Sequence, residues 1–552
     1  MQREAVHLSF GWANHVATHF WNAQQSYFEF GADAPEPLVE HDVSFRAGIG
    51  ADGLETYSPR ALLFDLRPEF GSLRTHSALY GGSEEDVVRQ EWGGETIAQP
   101  RVEPSWFARV LEEEDRNGVG VAGTGASAPG RPIRYWSDYS RVFFHPRSLV
   151  HVAAPAIDGT SFLHPMGTAQ PAFATYEHGA AVAHAMEAAH SVLDENMRWL
   201  AEDSDLLQGM QLATNALDGF SGFSHAYLAG LADEFPRTPR IMFAFAPHSW
   251  TDPALRRISA MNTALTLAHA SDAALLVPVR AAGDTGPHVS VSWDNAHEAA
   301  ALLAAHIETA TLPTRLRRRD TYAAIVGQLN WRHDTPIAAL SGCMPTPLAA
   351  PVRTPEDALL AEFFAKRGRP PPQPPAALDL RPVWRSYSFA PRDAQPYSSY
   401  SVARDRDALA EKPTLAALDR RAAPSAYYAN RFAPLAFNVE SSFPPILHGL
   451  TRDGRALPGA DSAVSSLPMA SALEVAPGAA DMLTEARDLV ARVLAARTPL
   501  ELYGLSIDGA VGGRDGLCEV RERLEGLCDA YGGVPDDAEP GTDEEWVSDG
   551  WE

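Results

Sequence analysis

The sequence predicts an α/β protein with a doubly wound, mostly parallel sheet, followed by a less regular α+β region. Three observations predict this class. Apolar stretches of strand length alternate with amphipathic helical stretches over roughly the first 310 residues. Several of the apolar stretches are nearly continuous, as in strands that are buried on both faces. Turns that contain glycine follow some of the strands, which is typical of loops at the carboxyl ends of a parallel sheet.

The first two strands and the first helix are predicted from their periodicity. EAVHLSF (Glu4–Phe10) alternates apolar and polar residues, as a strand does. After the turn GWAN, Val16, Phe20 and Ala23 recur at helical spacing, which predicts an amphipathic helix. ALLFDL (Ala61–Leu66) is a nearly continuous apolar run, which predicts a buried parallel strand.

The same alternation continues through the middle of the chain. A stripe of apolar residues predicts one long helix from about Glu177 to Ala201. PRIMFAFAP (Pro239–Pro247) and AALLVPV (Ala273–Val279) predict two more buried strands. The helix between them is expected to begin with Asp252 as its N-cap and Pro253 in its first turn.

The composition along the chain predicts two domains and a tail. We assign 1–312 to a nucleotide-type domain that carries a surface insertion at 81–132. We assign 313–532 to a second, α+β domain with a proline-rich loop at 366–382. The end, 533–552, is strongly acidic and predicts a disordered tail. The predicted helices of the second domain run from about Ala480 to Ala496 and from about Leu517 to Tyr531.

Charge and composition exclude several classes of protein. The formal net charge of −26 argues against direct nucleic-acid binding, which depends on lysine and arginine. The three cysteines have no C-x-x-C spacing, so we expect neither a disulfide framework nor a thiolate zinc site, and a reducing compartment fits. No stretch approaches the ~20 apolar residues of a membrane span, and the first thirty residues resemble folded structure rather than a cleaved targeting peptide.

The candidate site lies where the loops after the predicted strands meet. In doubly wound sheets, ligands bind at the carboxyl ends of the strands, beside helix N-termini whose unpaired N–H groups attract anions. We call the region formed by the loops 11–14, 65–69 and 218–222 the strand mouth. Its candidate binding residues are Gly11, Trp12, Asn14, Asp65, Arg67, Asp218, Gly219, Ser221 and Gly222, and a later helix brings Asn262 towards it.

Other motifs are weaker. Gly118, Gly120 and Gly123 have G-x-G-x-x-G spacing, but no strand precedes them, so a flexible loop is favoured over a dinucleotide site and an NAD-type oxidoreductase is disfavoured. His15 and His19 have a spacing that can bind zinc, but without a third ligand a structural pair is favoured. The motif HPRS (145–148) has no spacing that specifies chemistry, and LRRR (316–319) is typical of a solvated face.

Several of these segments resemble tubulins. EAVHLSFGWANHVATHFW resembles the tubulin N-terminus, PRALLFDLRP the second tubulin strand, and DLLQGMQLATNALDGFSGF the segment that leads through the tubulin phosphate-binding signature. RRISAMNTALTLAHASDAALL resembles the helix whose asparagine contacts guanine, which implies this role for Asn262. VGQLNWRHDTPIAALSG resembles tubulin more faintly and implies Asn330 as a second base contact.

The resemblance to the Misato family of tubulin-like proteins is closer. It rests on the N-terminal strand, ETYSPR before DL, WSDY with HPRS, and LQG with DGFSG, all between residue 1 and about residue 344. The resemblance implies a tubulin-like fold and a role in mitochondrial partitioning, mitochondrial morphology and the inheritance of mitochondrial DNA. It also implies mitochondria-associated or cytoskeletal partners, and a location in the cytoplasm and at the outer mitochondrial surface.

The chain departs from tubulins where the nucleotide would bind. The tubulin signature G-G-G-T-G-S-G is here Asp218-Gly219-Phe220-Ser221-Gly222-Phe223-Ser224, so a carboxylate and a phenylalanine replace the first and third glycines and a second phenylalanine replaces the serine. Arg67 stands where tubulins have an acidic residue that organises magnesium, and an arginine cannot ligate a metal. Trp12 lies in a shortened first loop, where it either stacks on a base or seals the strand mouth.

These departures favour a scaffold or binding protein with a degenerate guanine-nucleotide site. GTP or GDP is the cofactor to test, bound weakly or not at all, and no metal site is assigned. The alternative is an active GTPase that cycles or polymerises. Asp334 is the one candidate for the acid that activates water, but an exposed aspartate that opens a helix is favoured, so no catalytic residue is assigned.

Overall fold

The computed structural model describes most of the chain. The described residues are 3–28, 36–49, 55–71, 73, 105–117, 133–152, 173–247, 250–317, 320–346, 383–386, 395–407, 410–421, 427–456, 463–496 and 499–532. The predictions for the proline-rich loop, the acidic tail and Gly118, Gly120 and Gly123 lie outside these residues. Of the predicted insertion at 81–132, the described part is 105–117.

Fifteen strands and eleven α-helices are named for the described residues. The strands are β1 (Glu4–Phe10), β2 (Phe45–Ile49), β3 (Glu55–Pro59), β4 (Ala61–Leu66), β5 (Leu149–Val152), β6 (Leu207–Asn215), β7 (Arg240–Ala246), β8 (Leu275–Arg280), β9 (Ala339–Cys343), β10 (Trp384–Arg385), β11 (Ser398–Arg404), β12 (Tyr427–Ala433), β13 (Phe437–Asn438), β14 (Ser466–Leu467) and β15 (Met469–Val475). The helices are α1 (Ala13–Gln25), α2 (Trp106–Asn117), α3 (Tyr176–His190), α4 (Arg198–Glu202), α5 (Phe220–Glu234), α6 (Pro253–Ala273), α7 (Ala296–Thr311), α8 (Tyr322–Leu329), α9 (Glu411–Arg421), α10 (Ala479–Ala495) and α11 (Gly513–Gly532).

The first sheet is parallel and doubly wound, which confirms the predicted class. Its strand order is β5-β4-β1-β6-β7-β8, and every neighbouring pair is parallel. The order reverses direction between β1 and β6, so Phe10 pairs with Phe64 on one side and with Thr214 on the other. The strand mouth therefore lies at this topological switch point, where such sheets bind ligands.

Helices cover both faces of the first sheet. Successive side chains of β1 point to opposite faces, so the strand contacts both helix layers. His7 points towards α1, and its ring centroid lies 5.1 Å from that of Phe20 and 4.9 Å from that of Trp21. Phe10 points the other way and lies 6.0 Å from Phe223 of α5. These apolar contacts on both sides explain why the strand is buried along its whole length.

A second sheet follows, and it is mixed. Its order is β10-β9-β15-β11-β12, in which β11 and β12 are parallel and the other neighbours are antiparallel. Helix α7 is buried along almost its whole length and contacts both α1 and the second sheet. One hydrophobic core runs from the first sheet to Val402 and Leu473 of the second. The domain boundary near residue 312 stays a prediction.

Two predicted helices have different outcomes. The helix after Asp252 is confirmed, since the Asp252 carboxylate accepts a hydrogen bond from the Ala254 amide at 2.7 Å. The single long helix predicted from Glu177 to Ala201 is wrong. Ser191 has a left-handed backbone (φ 46°) and ends α3, and the Glu187 carboxylate accepts from the Leu193 amide and so stabilises the break. A π-helical turn, Leu193–Met197, then leads into α4.

Candidate functional site

Asn14 and Asp65 form a buried hydrogen-bond network between the start of α1 and the end of β4. The Asn14 side-chain amide donates to the Asp65 carboxylate at 2.9 Å and to the Phe64 carbonyl at 3.0 Å. The Trp136 indole and the Leu66 amide donate to the same carboxylate at 3.0 and 2.9 Å. Burial raises the pKa of Asp65 to about 6, although these hydrogen bonds act in the opposite direction.

Asp218 places a second carboxylate at the strand mouth. Its Oδ1 accepts a hydrogen bond from the Phe220 amide at 2.9 Å, and its Oδ2 accepts one from the side chain of Asn215. Burial raises the pKa of Asp218 to about 7, and the nearby charge of Asp65 adds to the increase. Two carboxylates of raised pKa therefore share this part of the molecule.

The backbone amides at the start of α5 are already bonded. The Gly219 amide donates to the Phe173 carbonyl at 2.9 Å, and the Ser221 amide donates to the Asp218 carbonyl at 3.1 Å. The Phe220 amide between them donates to the Asp218 side chain. A helix N-terminus attracts an anion through free amides, and here these three have partners within the protein.

The glycines of this segment allow two helices to cross closely. A Cβ at Gly222 would lie 1.9 Å from the Tyr176 carbonyl oxygen, and one at Gly179 would lie 1.7 Å from the Gly219 carbonyl oxygen. A Cβ at Gly219 itself would lie 2.8 Å from the ring of Phe173. The first turn of α3 therefore lies directly on the first turn of α5, in contact with the backbone that the glycines leave bare.

Aromatic side chains fill the space below the three loops. Gly11 has a positive φ of 60°, and a Cβ there would lie 2.3 Å from the Phe220 ring, which is therefore in contact with the first loop. The Phe173 ring packs edge-on against Phe220 at 4.9 Å. Phe223 lies deeper and contacts Phe64 at a centroid distance of 5.7 Å.

Trp12 and Arg67 lie at the rim of the strand mouth. The half-buried indole of Trp12, just after β1, lies 5.7 Å from the ring of Phe245 at the end of β7. Because β6 lies between β1 and β7, the indole crosses over the end of β6. Arg67 is exposed. Burial lowers the pKa of the nearby His151 imidazole, and the positive charge of Arg67 lowers it further. The guanidinium is therefore at the surface.

Asn262 reaches the edge of the site, and its hydrogen-bonding groups are bonded to backbone. Its amide nitrogen donates to the carbonyls of Ala174 and Leu217 at 2.8 and 3.0 Å. Its amide oxygen accepts from the Tyr176 amide at 3.0 Å. The side chain thus ties α6 to the loop before α5 and to the start of α3.

The structure does not bring Asn330 to the strand mouth. Asn330 ends α8, and its side-chain oxygen accepts from the Thr335 amide at 3.0 Å. The segment that follows Asn330 lies beside β8, where the Ala338 amide donates to the Leu276 carbonyl. Leu276 lies near the amino end of β8, at the opposite edge of the sheet from the carboxyl ends.

Two further candidates lie at the surface. Asp334 accepts a hydrogen bond from Arg332 at 3.2 Å and follows the end of α8, so the interpretation that it opens a helix is wrong. Arg317 of the LRRR segment is exposed and is paired with Glu36. The last two arginines of that segment lie outside the described residues.

His15 and His19 each contact other parts of the protein. A hydrogen bond of 2.7 Å joins the His15 ring to the Tyr139 hydroxyl, and one of 3.0 Å joins the His19 ring to the His297 carbonyl. Burial lowers the pKa of His15 to about 3. Among the residues that the structure describes, no three His, Cys, Asp or Glu side chains form a group that would hold a metal ion.

Three residues of this site are not predicted by the sequence patterns. Trp136 donates to Asp65, and the sequence feature that marks it is its position in the WSDY motif. Asn215 holds Asp218 but resembles any polar residue at the end of a strand. Phe173 fills the space beside Gly219 and precedes α3 by three residues, with no periodicity that would mark it.

The comparisons with family models and with individual relatives together decide the relationship. Residues 3–113 match the Misato segment II tubulin-like domain, and residues 127–316 match a tubulin domain. Together these matches span more than half of the chain. The chain belongs to the Misato/DML1 family of tubulin-like proteins.

Individual relatives agree with this assignment. Protein DML1 of Gibberella zeae is 33% identical over 378 residues, which cover 66% of this chain and 72% of that protein. Protein dml-1 of Neurospora crassa is 34% identical over 59% of this chain, and Protein misato homolog 1 of Pongo pygmaeus is 28% identical over 57%. This member of the Misato/DML1 family spans 60% of the length of each of these last two. No helix in the described ranges combines the length and the apolar character needed to cross a membrane.

Proposed function

We propose that this Misato/DML1 family member is a tubulin-like scaffold with a degenerate guanine-nucleotide site. In this proposal it acts in the partitioning of mitochondria and in the inheritance of mitochondrial DNA, together with mitochondria-associated or cytoskeletal partners. It associates peripherally with the outer mitochondrial surface and is also present in the cytoplasm. The mitochondrial part rests on family membership, and the degenerate site rests on geometry.

The position of the Phe220 ring is the observation that carries the degenerate site. The ring lies against Gly11, at the switch point where the first loop and the start of α5 would face the phosphates of a nucleotide. The amides of Gly219 and Ser221 are bonded to other backbone groups. A triphosphate would therefore meet an apolar ring where it needs N–H donors.

Electrostatics supports the same proposal. Asp218 and Asp65 place carboxylates at the strand mouth, and when ionised they repel phosphate oxygens unless a cation lies between them. Arg67 offers positive charge but cannot ligate magnesium. The residues present thus do not fit a magnesium-bound guanosine triphosphate held in the tubulin manner.

Nucleotide binding can be tested directly on the purified full-length chain. We expect mass spectrometry of the untreated protein to find no stoichiometric GDP or GTP. We also expect calorimetry with GTP and Mg²⁺ to show no saturable binding below about 1 mM, which corresponds to a binding free energy weaker than about −4 kcal/mol. Tubulin under the same conditions is the positive control. A stoichiometric nucleotide, or GTP turnover, would support the alternative of a working GTPase.

The mitochondrial role can be tested in fungal cells depleted of their own family member. We expect this chain to restore the distribution of mitochondria between daughter cells and the copy number of mitochondrial DNA. A matched variant, Asp218→Asn, should restore both equally well, because a scaffold does not depend on nucleotide turnover at the strand mouth. Failure of the unmodified chain to restore either would argue against the role.

A further inference from the structure

Strand β12 is the outer strand of the second sheet, and one of its edges is open. Among the described residues its sole strand neighbour is β11, with which it pairs in parallel. The Tyr427 amide donates to the Tyr397 carbonyl at 3.1 Å, which places the odd-numbered residues of β12 against β11. Alternate residues of a strand direct their backbone groups to opposite sides, so those of Tyr428, Asn430 and Phe432 point outward.

The outward backbone groups are available for a further strand. Within the described ranges, no backbone group bonds to the three outward amides. The Asn430 carbonyl accepts from the Arg431 guanidinium at 3.2 Å, and the Asn430 side chain donates to Asp419 of α9 at 2.7 Å. A row of unpaired N–H and C=O groups at a sheet edge is a template on which another strand can pair.

Exposed aromatic rings mark the start of this edge. Trp331 and Tyr427 are 38% and 53% exposed, and their rings stack at a centroid distance of 4.2 Å. Tyr428 follows directly and is 45% exposed. Three large aromatic side chains grouped at an open edge indicate a surface that another segment covers.

The last helix ends beside these rings. The Tyr397 hydroxyl donates to the Tyr531 carbonyl at 2.8 Å, and the Tyr397 carbonyl accepts from the Tyr427 amide. Helix α11 ends one residue after Tyr531, at Gly532. Residues 533–552 therefore leave the described fold close to the first residue of β12.

These last residues are numerous enough to reach the whole edge. We call residues 542–552 the tail segment. The nine residues before it, 533–541, span up to about 30 Å when extended. Strand β12 has seven residues and is about 20 Å long. Because the tail segment is tethered to the same molecule, its effective concentration at the edge exceeds that of a separate partner.

The tail segment has the residues that an added strand requires. A proline lacks the N–H that a ladder needs, and both tail prolines, Pro535 and Pro540, precede the segment. Trp546, Val547 and Trp551 supply large apolar side chains for the exposed rings. A segment as acidic as this one forms no core of its own, so it becomes ordered against a surface that another part of the protein offers.

Two guanidinium groups at the edge complement the acidic side chains of the tail segment. Arg431 lies within β12 and Arg332 lies in the turn beside it, and their side chains are 43% and 24% exposed. Each bonds one aspartate, Asp320 and Asp334 respectively. Since a guanidinium has five N–H donors, each can also bond a carboxylate of the tail segment, which has five acidic residues.

We infer that the tail segment docks on its own molecule as an added strand along the open edge of β12, with its tryptophans against Trp331, Tyr427 and Tyr428. The edge supplies the backbone partners, and the point where the chain leaves α11 supplies the short tether. The inference is independent of the nucleotide site and of the mitochondrial role.

Hydrogen–deuterium exchange of the full-length chain, resolved at single amides by fragmentation mass spectrometry, tests the docking. The variant Val547→Pro/Ser548→Pro changes no charge, and one of two consecutive residues faces β12 whatever the register. We expect the outward amides of Tyr428, Asn430 and Phe432 to exchange at least about tenfold faster in this variant than in the unmodified chain. Equal exchange in the two proteins would overturn the inference.

The matched control places two prolines outside the tail segment. Ala538→Pro/Gly541→Pro also leaves the charge unchanged, and the outward amides should exchange as they do in the unmodified chain. The amides of Ala429 and Arg431 bond to β11 and should exchange alike in all three proteins. If the control speeds exchange at the outward amides as much as the test variant does, pairing by residues 542–552 is wrong.

Two further measurements identify the occupant and the role of the rings. Slow exchange that depends on protein concentration would contradict docking within one molecule, because the tail of a second copy would then occupy the edge. Trp331→Ser/Tyr427→Ser replaces two exposed side chains and should raise the exchange rates towards those of the test variant. No change in this variant would overturn the contact between the rings and the tryptophans.

Discussion

At the scale of single residues, the notable change from the tubulin signature is a half-buried carboxylate, Asp218, which is bonded to Asn215 and to the Phe220 amide. Its pKa is raised to about 7 by burial and by the charge of Asp65. The ordinary pKa of an aspartate in an unfolded chain is about 3.9. The folded protein therefore holds this proton more tightly than the unfolded chain does. The contribution of Asp218 to stability is then fully present below about pH 4 and is lost as the pH rises through about 7.

We therefore predict that Asp218→Asn makes stability less dependent on pH. Between pH 5 and pH 8, the melting temperature of the unmodified chain should fall relative to that of the variant, because the variant has no proton to lose at this position. The measurement is a thermal melt at each half-unit of pH for both proteins. Asp453→Asn, at an exposed position, serves as the control and should run parallel to the unmodified chain. If the melting temperatures of Asp218→Asn and of the unmodified chain change with pH in the same way, the pKa of Asp218 is not raised in the folded protein.

At the scale of elements, the D-G-F-S-G segment shows what sequence patterns can and cannot predict. The strand–glycine–helix order correctly placed the segment at the switch point, since that order follows from chain connectivity. The role of its glycines was not predictable. They let α3 lie on α5, and this contact depends on residues such as Tyr176 that are remote in sequence. A glycine that faces a phosphate and one that faces a helix look the same in a sequence.

Gly222→Ala tests that helix crossing. A Cβ at this position would lie 1.9 Å from the Tyr176 carbonyl oxygen, which is backbone and cannot rotate away. We expect the substitution to separate α3 from α5 and to lower stability by about 1–3 kcal/mol or more, as in other overpacked cores. Denaturant unfolding provides the measurement.

The matched control is Gly526→Ala in α11, where a new Cβ would have no atom within 4 Å. Alanine is favoured over glycine inside a helix, so this change should increase stability by about 0.5–1 kcal/mol. Similar effects of the two substitutions would show that the crossing of α3 and α5 does not depend on Gly222.

The second sheet marks the limit of prediction at this scale. β1, β4, β7 and β8 were predicted because their apolar or alternating patterns are plain in the sequence. β11 was not, because its sequence SSYSVAR is rich in serine although every residue is buried. Its serines are accommodated by hydrogen bonds, such as that from the Ser398 hydroxyl to the Leu329 carbonyl at 2.7 Å. A polar residue buried with a partner has no hydropathy signal.

At the scale of the whole molecule, one buried carboxylate joins the two sheets. Glu308 of α7 accepts from Gln24 of α1 at 2.9 Å and is paired with Arg404 of β11. Arg315, just after α7, donates to the same carboxylate at 3.3 Å. The three charged side chains are at most 1% exposed, so water does not screen them. This carboxylate therefore bonds α1, α7 and the second sheet to one another at a single point, in addition to the apolar core that they share.

Glu308→Gln is expected to destabilise the whole fold. It keeps the shape of the side chain but leaves Arg315 and Arg404 as buried cations without a counter-ion, and breaking such a pair costs about 3–5 kcal/mol. Loss of an exposed ion pair costs only about 0–1 kcal/mol, so Asp194→Asn, which breaks the surface pair with Arg198, is the matched control. Denaturant unfolding of both variants, with limited proteolysis to detect separation of the two sheets, makes the comparison. If Glu308→Gln is as mild as the control, the contact between the sheets is maintained by the apolar core around α7 and not by this carboxylate.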